Sequence, residues 1–338
     1  MFKRGQVETP INWIFVLMAG SVILLFFAIV IYRIQGTVEK QASATLITSL
    51  NSIFSGMGLS SDTSAVIPNL PNSELFFNCQ GYSSGDLTGG FEERLTFAPS
   101  TLNIQPLIVW SMPWNMPFFI SNFLFITTSN IKYVFVHDEA GASNSLKLKI
   151  EALLSEHITK QFVKSSSSLQ EEGTITKFIF LNMDPESLHP SFINLRVNAL
   201  KINANGVVSF YEKLPGVNKF ELKLNPSSVF FDDATLIASI MVDNAEYYEC
   251  MLSKAIKRYE QLAYIISERV SSLKSLVPVC NQRYNPAAAN LYSFLSSTSF
   301  IEEKEEDVLS YLNNIKTLIN QIKANNEELP LHSCPPIY

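Results

Sequence analysis

Three short stretches carry residue types that could do chemistry. Gly81-Tyr82-Ser83-Ser84-Gly85 satisfies the G-x-S-x-G pattern of a hydrolase nucleophile elbow, in which a strand turns sharply into a helix so that the serine hydroxyl meets an oxyanion hole. Here Asp86-Leu87-Thr88-Gly89-Gly90 follows, a poor helix start, so the stretch reads as a glycine-serine loop. His137-Asp138-Glu139 follows an apolar run, where sheet proteins often place their sites. Adjacent residues rarely point at one metal, however, and no His-x-x-x-His supports them, so a capped loop is the simpler reading. Asp184, followed by Pro185, most simply starts a turn. No Walker lysine loop, dinucleotide fingerprint or H-E-x-x-H occurs. No catalytic residue, metal ligand or cofactor is assigned.

The segment Trp110-Ser111-Met112-Pro113-Trp114-Asn115-Met116-Pro117-Phe118-Phe119 is less ordinary. Proline lacks the ladder donor, so this segment is not expected to form a regular central strand. As a loop it could offer Trp110, Trp114, Phe118 and Phe119 to a partner, or fill the core between sheet and helices.

What positions these residues starts with a membrane argument. Hydrophobic residues make up 47% of the 338 and charged residues 17%. No charged side chain stands between Glu8 and Arg33. Those residues would rise about 36 Å as a helix, enough for the roughly 30 Å hydrocarbon core. Lys3 and Arg4 lie on the short side, which predicts a cytoplasmic N-terminus and an exported remainder. Setting aside Lys3, Arg4 and Glu8 leaves 23 basic against 30 acidic residues of the chain's 25 and 31. A mildly acidic ectodomain excludes nucleic acid as a partner.

Beyond the apolar run, Val38, Ala42, Leu46, Leu50, Phe54 and Met57 recur at helical spacing. Pro10 suits a first turn, and Gly56 and Gly58 bracket a stop. One helix from about Pro10 to Phe54 is expected, its lower half in lipid and its upper half laying a stripe on the ectodomain.

Lys3-Arg4-Gly5-Gln6 resembles the class III signal peptides of archaeal type IV pilin-like proteins. That resemblance covers about thirty N-terminal residues and implies cleavage between Gly5 and Gln6. This chain departs from the pattern in placing Pro10 where pilins often carry glutamate, with its own acid at Glu8. An uncleaved signal anchor is the alternative. Together with the ending Ser333-Cys334-Pro335-Pro336-Ile337-Tyr338, the start also resembles a group of anchored, exported proteins of small-genome archaea, which implies a location and no activity.

The rest predicts an α+β ectodomain. Residues 1–9 form a cytoplasmic basic segment, 10–32 the transmembrane helix, 33–58 its stalk continuation, and 59–73 a linker. A mixed β-sheet region with a crossover helix is expected over 74–231, and a long antiparallel helical hairpin over 232–338. Strand-like runs are Glu74 to Asn78, Arg94 to Phe97, Pro106 to Trp110, Phe118 to Thr127, Lys132 to Val136, Ile175 to Leu181 and Phe220 to Leu224. Leu195 to Ile202 and Val207 to Glu212 form a hairpin across a glycine-bearing loop. Leu146, Ile150, Leu153, Leu154 and Ile158 mark the crossover helix. After Asp232, heptads through Ala245, Leu252, Tyr259, Ile266 and Leu273, and then through Ile301, Val308, Ile315 and Ile322, predict two long helices. Ser299 to Glu302 reads as a capping box, and the acidic run to Asp307 as a solvated helix start.

Cys79, Cys250, Cys280 and Cys334 all fall on the exported side, which predicts two disulfides over a zinc site. If the two helices pack antiparallel, Cys334 returns to Cys250 and leaves Cys79 for Cys280. No allowed N-glycosylation sequon occurs. The functional expectation is a cell-membrane, single-pass protein with an extracellular head. It would act as a pilin-like or surface-complex subunit that contacts membrane lipid and other subunits through its N-terminal helix. An anchored binding module using the Trp110 to Phe119 loop, and an extracytoplasmic hydrolase around Ser83 or His137, are the alternatives.

Overall fold

The computed structural model of the chain describes residues 8–68, 70–71, 73–103, 106–298 and 308–338. It begins with a 52-residue helix, α1 (Glu8–Leu59), about 78 Å long at 1.5 Å per residue. Hydroxyls that would otherwise compete with the helix bond back into it: Thr45 donates to the Gln41 carbonyl and Thr48 to that of Ala44, each at 2.9 Å. The predicted stripe is present where its side chains are described. Leu46, Leu50 and Phe54 are fully buried, while the flanking Thr45, Thr48 and Ser52 face solvent.

Eight strands follow: β1 (Ser64–Ile67), β2 (Glu74–Phe77), β3 (Gly81–Ser84), β4 (Leu87–Gly90), β5 (Leu95–Phe97), β6 (Thr101–Asn103), β7 (Leu107–Asn115) and β8 (Phe119–Thr128). They form two four-stranded sheets, ordered β1-β7-β8-β5 and β4-β3-β2-β6. A third sheet is built from β9 (Ile131–Val136), a crossover helix α2 (Gly141–Leu153), β10 (Lys160–Val163), β11 (Ile175–Leu181), β12 (Val197–Ile202), β13 (Val207–Lys213) and β14 (Glu221–Val229). Its order is β10-β9-β11-β12-β13-β14. The first four strands are parallel, and β13 and β14 run antiparallel.

The near-continuous apolar character of β9 and β11 follows from burial on both faces. Tyr133, Phe135, Ile179 and Leu181 enter the main core, while the alternating Val134, Val136, Phe178 and Phe180 enter a smaller core on the other side. The chain ends in helices: α3 (Asp233–Met241), α4 (Ala245–Leu276), α5 (Asn281–Thr298) and α6 (Val308–Glu328). The main core runs without a break from Leu46 of α1 through the sheets to Ile337, so the β-rich part and the terminal helices share one interior.

The architecture is α+β with several sheets and helices, as expected, but four details differ. The linker contains a strand, β1, which pairs with β7. The crossover helix stops at Leu153, and β10, which the sequence did not suggest, follows it. Val242 interrupts the helix expected after Asp232, because Asn244 caps a fresh start by accepting from the Tyr247 amide at 2.8 Å. The expected pair of long helices contains a third between them, α5. The Ser299 to Glu302 capping box and the acidic run to Asp307 lie outside the described residues.

Candidate functional site: the exposed helix and its braced head

Two properties of α1 divide it. In its first half most of the described apolar side chains are bare: Trp13, Val16 to Met18, Val22 to Phe27 and Ile29 are all at least half exposed. From Leu46 onward it is bound into the head. Phe54 meets Tyr82 edge to face at 5.3 Å, and the Tyr82 hydroxyl donates to Asn51 Oδ1 at 2.8 Å and to the Ile47 carbonyl at 3.3 Å. Burial pushes the Tyr82 phenol up to about 12. Among the described residues no helix is long and apolar enough to cross a membrane. The side chains of Ile14, Phe15 and Ile31, which border the apolar run of α1, lie outside that description. Gly5 and Gln6, the expected processing site, also lie outside the described residues.

Four cysteines brace the head in two disulfides, and the expected pairing is corrected. Cys79 is joined to Cys250 and Cys280 to Cys334, with Cα atoms 6.0 and 5.9 Å apart. The cause is α5. It packs against both α4 and α6, so the chain after α6 returns to the start of α5, at Cys280, and not to Cys250 on α4. That leaves Cys250, in the second turn of α4, to face the turn after β2. There Lys254, one turn further along, also donates to the Cys79 carbonyl. With every cysteine oxidised, the zinc alternative has no thiolate to use.

The aromatic loop is corrected too. Its residues form the end of β7, the turn and the start of β8, with Pro113 paired opposite Asn122. Proline is tolerated here because of where β1 stops. The Ser111 amide donates to the Thr63 carbonyl just ahead of β1, and the next backbone position on that side, Pro113, falls beyond the β1 ladder, where no donor is required. Trp110 and Trp114 are buried, and Phe118 is stacked on Tyr259 at 5.2 Å. Trp114 Nε1 donates to Asp232 Oδ2 at 2.6 Å, and the same carboxylate caps α3 by accepting from the Thr235 amide. Of the four proposed contact residues only Phe119 is exposed. The segment is core, because a β-hairpin lets alternate aromatics face inward despite the prolines.

The remaining candidates are turns and strands. Gly81 to Ser84 is β3 and leads through Gly85, at φ 57°, into β4. A Cβ at Gly81 would collide with the Gly89 carbonyl oxygen, so that glycine serves close strand approach. A hairpin supplies no helix N-terminus to a serine nucleophile. His137 is buried; its backbone amide extends the β10 ladder by donating to Val163, and its Nδ1 lies 3.0 Å from the Asp138 carbonyl. Glu139 pairs with Lys164 at 2.8 Å, and Asp184 with Lys201. These groups do not converge, and among the described residues no group of three metal-ligating side chains gathers.

Sequence reasoning missed one polar cluster. Lys177 on β11 is buried and meets Asp243 Oδ1 at 3.2 Å and the Val242 carbonyl. Asp243 accepts from the Ser100 amide at 3.0 Å, and its carbonyl accepts from Lys223 at 2.8 Å. Burial lowers Lys177 from its ordinary value, opposed by the Asp243 charge. The cluster ties the parallel sheet to the α3–α4 break. Its only signal in the sequence is a lysine inside an otherwise apolar run.

No protein-family model matches the chain, and no curated protein or solved structure matches it either.

Proposed function

We propose that the chain is a single-pass membrane protein, N-terminus in the cytoplasm, whose long helix presents a disulfide-braced head on the outer face as a pilin-like or surface-complex subunit. The observation that carries this reading is the run Val22 to Phe27, six successive residues each between 56% and 73% exposed. Successive helical positions turn by about 100°, so these side chains cover every face of the helix. A partner protein docking on one side would leave the other faces in water, whereas lipid covers all of them.

Further support comes from the far end. Leu46, Leu50 and Phe54 are locked in the core, so the helix is rigidly joined to the head, as a stalk requires. Two disulfides suit an oxidising compartment, and Lys3 and Arg4 suit the cytoplasmic side. Lateral packing of apolar stalks supplies the contact between subunits, and processing between Gly5 and Gln6 exposes the helix for it.

The test is fractionation followed by intact mass. The protein should resist a carbonate wash of the membrane and extract only with detergent. Its N-terminal mass should begin at Gln6 for the pilin-like form, and at Met1 or Phe2 for a plain anchor. A native protein recovered in the soluble cytosolic fraction with four free thiols overturns the proposal.

A further inference from the structure

The polar cluster behind the parallel sheet sets a nucleophile against a carboxyl group inside the head. Lys177 on β11 and Asp243 at the α3–α4 break stand 66 residues apart in the chain, and their side chains are only 4% and 10% exposed. Lys177 Nζ meets Asp243 Oδ1 at 3.2 Å. The other carboxylate oxygen, Oδ2, accepts from the Ser100 amide at 3.0 Å and from Ser100 Oγ at 3.2 Å. Lys223 donates to the Asp243 backbone carbonyl and to Asn198 Oδ1, each at 2.8 Å, which holds the aspartate in place.

As an ion pair this arrangement is incomplete. An ammonium has three N–H groups to place, and among the described residues Lys177 Nζ has two acceptors, Asp243 Oδ1 and the Val242 carbonyl. Two charges are also held out of water, a cost that their mutual attraction often does not offset. An amide suits the same surroundings better. It carries no charge, its single N–H keeps the Val242 carbonyl as acceptor, and its oxygen keeps both Ser100 donors.

We infer that Lys177 Nζ and Asp243 Cγ condense to an intramolecular isopeptide bond, with release of one water. The atoms balance without a further reagent. The ammonium passes one proton to Oδ1, and the neutral amine adds to Cγ. Negative charge gathers on Oδ2, where the Ser100 N–H and O–H already stand as an oxyanion hole. The nitrogen then gives a second proton to Oδ1, the Cγ–Oδ1 bond breaks, and Oδ1 leaves as water. Burial, helped by the Lys223 charge and opposed by that of Asp243, lowers Lys177 and so favours the attacking amine. Fixed contact stands in for a chance encounter, and the exclusion of water suppresses hydrolysis of the product.

Mass spectrometry of the full chain, extracted in detergent, reduced and alkylated, tests this. The protein should be one water lighter than the unbranched polypeptide with the same N-terminus. Proteolysis should give a branched peptide that joins the segments of Lys177 and Asp243. Lys177→Met and Asp243→Ala should each restore the full mass and abolish the branched peptide. Recovery of Lys177 and Asp243 in separate, unmodified peptides from the wild-type protein overturns the assignment, whether or not either variant folds. A missing water that maps elsewhere, such as to an aspartyl succinimide, overturns it equally. The masses are read wherever the protein resides, so this inference and the membrane reading stand or fall separately.

Discussion

The hydroxyl of Tyr82 on β3 donates to Asn51 Oδ1 on α1 across 2.8 Å, in a sequence separation of 31 residues. That bond, with Phe54 packed against the same ring, fastens the long helix to the head. Tyr82→Phe keeps the ring and removes the donor, so it should cost about 1 kcal/mol in denaturant unfolding. The wild-type pH dependence has a definite sign. The folded phenol sits at about 12 against an ordinary 10.0. Below pH 10 both states hold the proton and the contribution is complete. Between pH 10 and about 12 the unfolded chain releases it while the folded chain does not, so stability should fall as pH rises through that window. Tyr82→Phe should make that part of the profile less steep by one proton's share, the rest coming from other buried tyrosines such as Tyr338, which burial also raises.

Trp114 is buried against Phe123 at 5.1 Å and holds the capping carboxylate of Asp232. Trp114→Ala should therefore destabilise the head by about 3–5 kcal/mol, through a cavity and a stranded buried acid together. A shift in the denaturant midpoint checks this. An unchanged midpoint would return the residue to the partner-binding role that its burial argues against.

Digestion without reduction should release Cys79 linked to Cys250, and Cys280 linked to Cys334. The enclosed separations of 171 and 54 residues predict stabilisations of about 5 and 4 kcal/mol in the chain-entropy account. The Cys79→Ser, Cys250→Ser double variant should lose more stability than the Cys280→Ser, Cys334→Ser one, measured under identical oxidising conditions.

The buried pair of Lys177 and Asp243 should respond asymmetrically. Asp243→Ala leaves an ammonium inside the protein without its counter-charge and should cost about 3–5 kcal/mol, whereas the double variant Lys177→Met, Asp243→Ala should recover part of that loss. A double-mutant cycle measures the difference, and equal loss in both variants would show that the charge pair is not the source.

Where α1 is concerned, Leu50→Asp should unfold the head, since Leu50 is fully buried in the main core. Leu24→Asp, on the exposed half, should leave the head's thermal transition intact and impair membrane retention. Separate melting and fractionation experiments read the two effects independently.

Several features were legible in the residues because their causes are local. The spacing of Leu46, Leu50 and Phe54 marked a buried stripe, and those side chains are buried. Asp232 and Asp233 can each cap a helix start, and it is Asp232 that caps α3, with a reciprocal bond to Thr235. The apolar run Ile175 to Leu181 is β11, and the glycine-bearing loop before Val207 is the β12–β13 turn, with Gly206 at φ 97°. The short strands β3, β4 and β10 escaped because they are only four residues each and draw their stability from neighbours far along the chain.

By itself, then, the sequence determined where the chain is apolar, where helices can begin, and that four cysteines stand after the apolar run, since each depends on residues within a turn or two. Only the tertiary structure decided which cysteines meet, that Trp110 and Trp114 face inward, and that Lys177 finds Asp243. Those outcomes depend on the insertion of α5 beside α4, on the β1–β7 pairing stopping at Ser64 and Trp110, short of Pro113, and on the α3–α4 break reaching the parallel sheet. Contacts of that kind follow from how whole elements pack, and the residues on either side carry no local record of them.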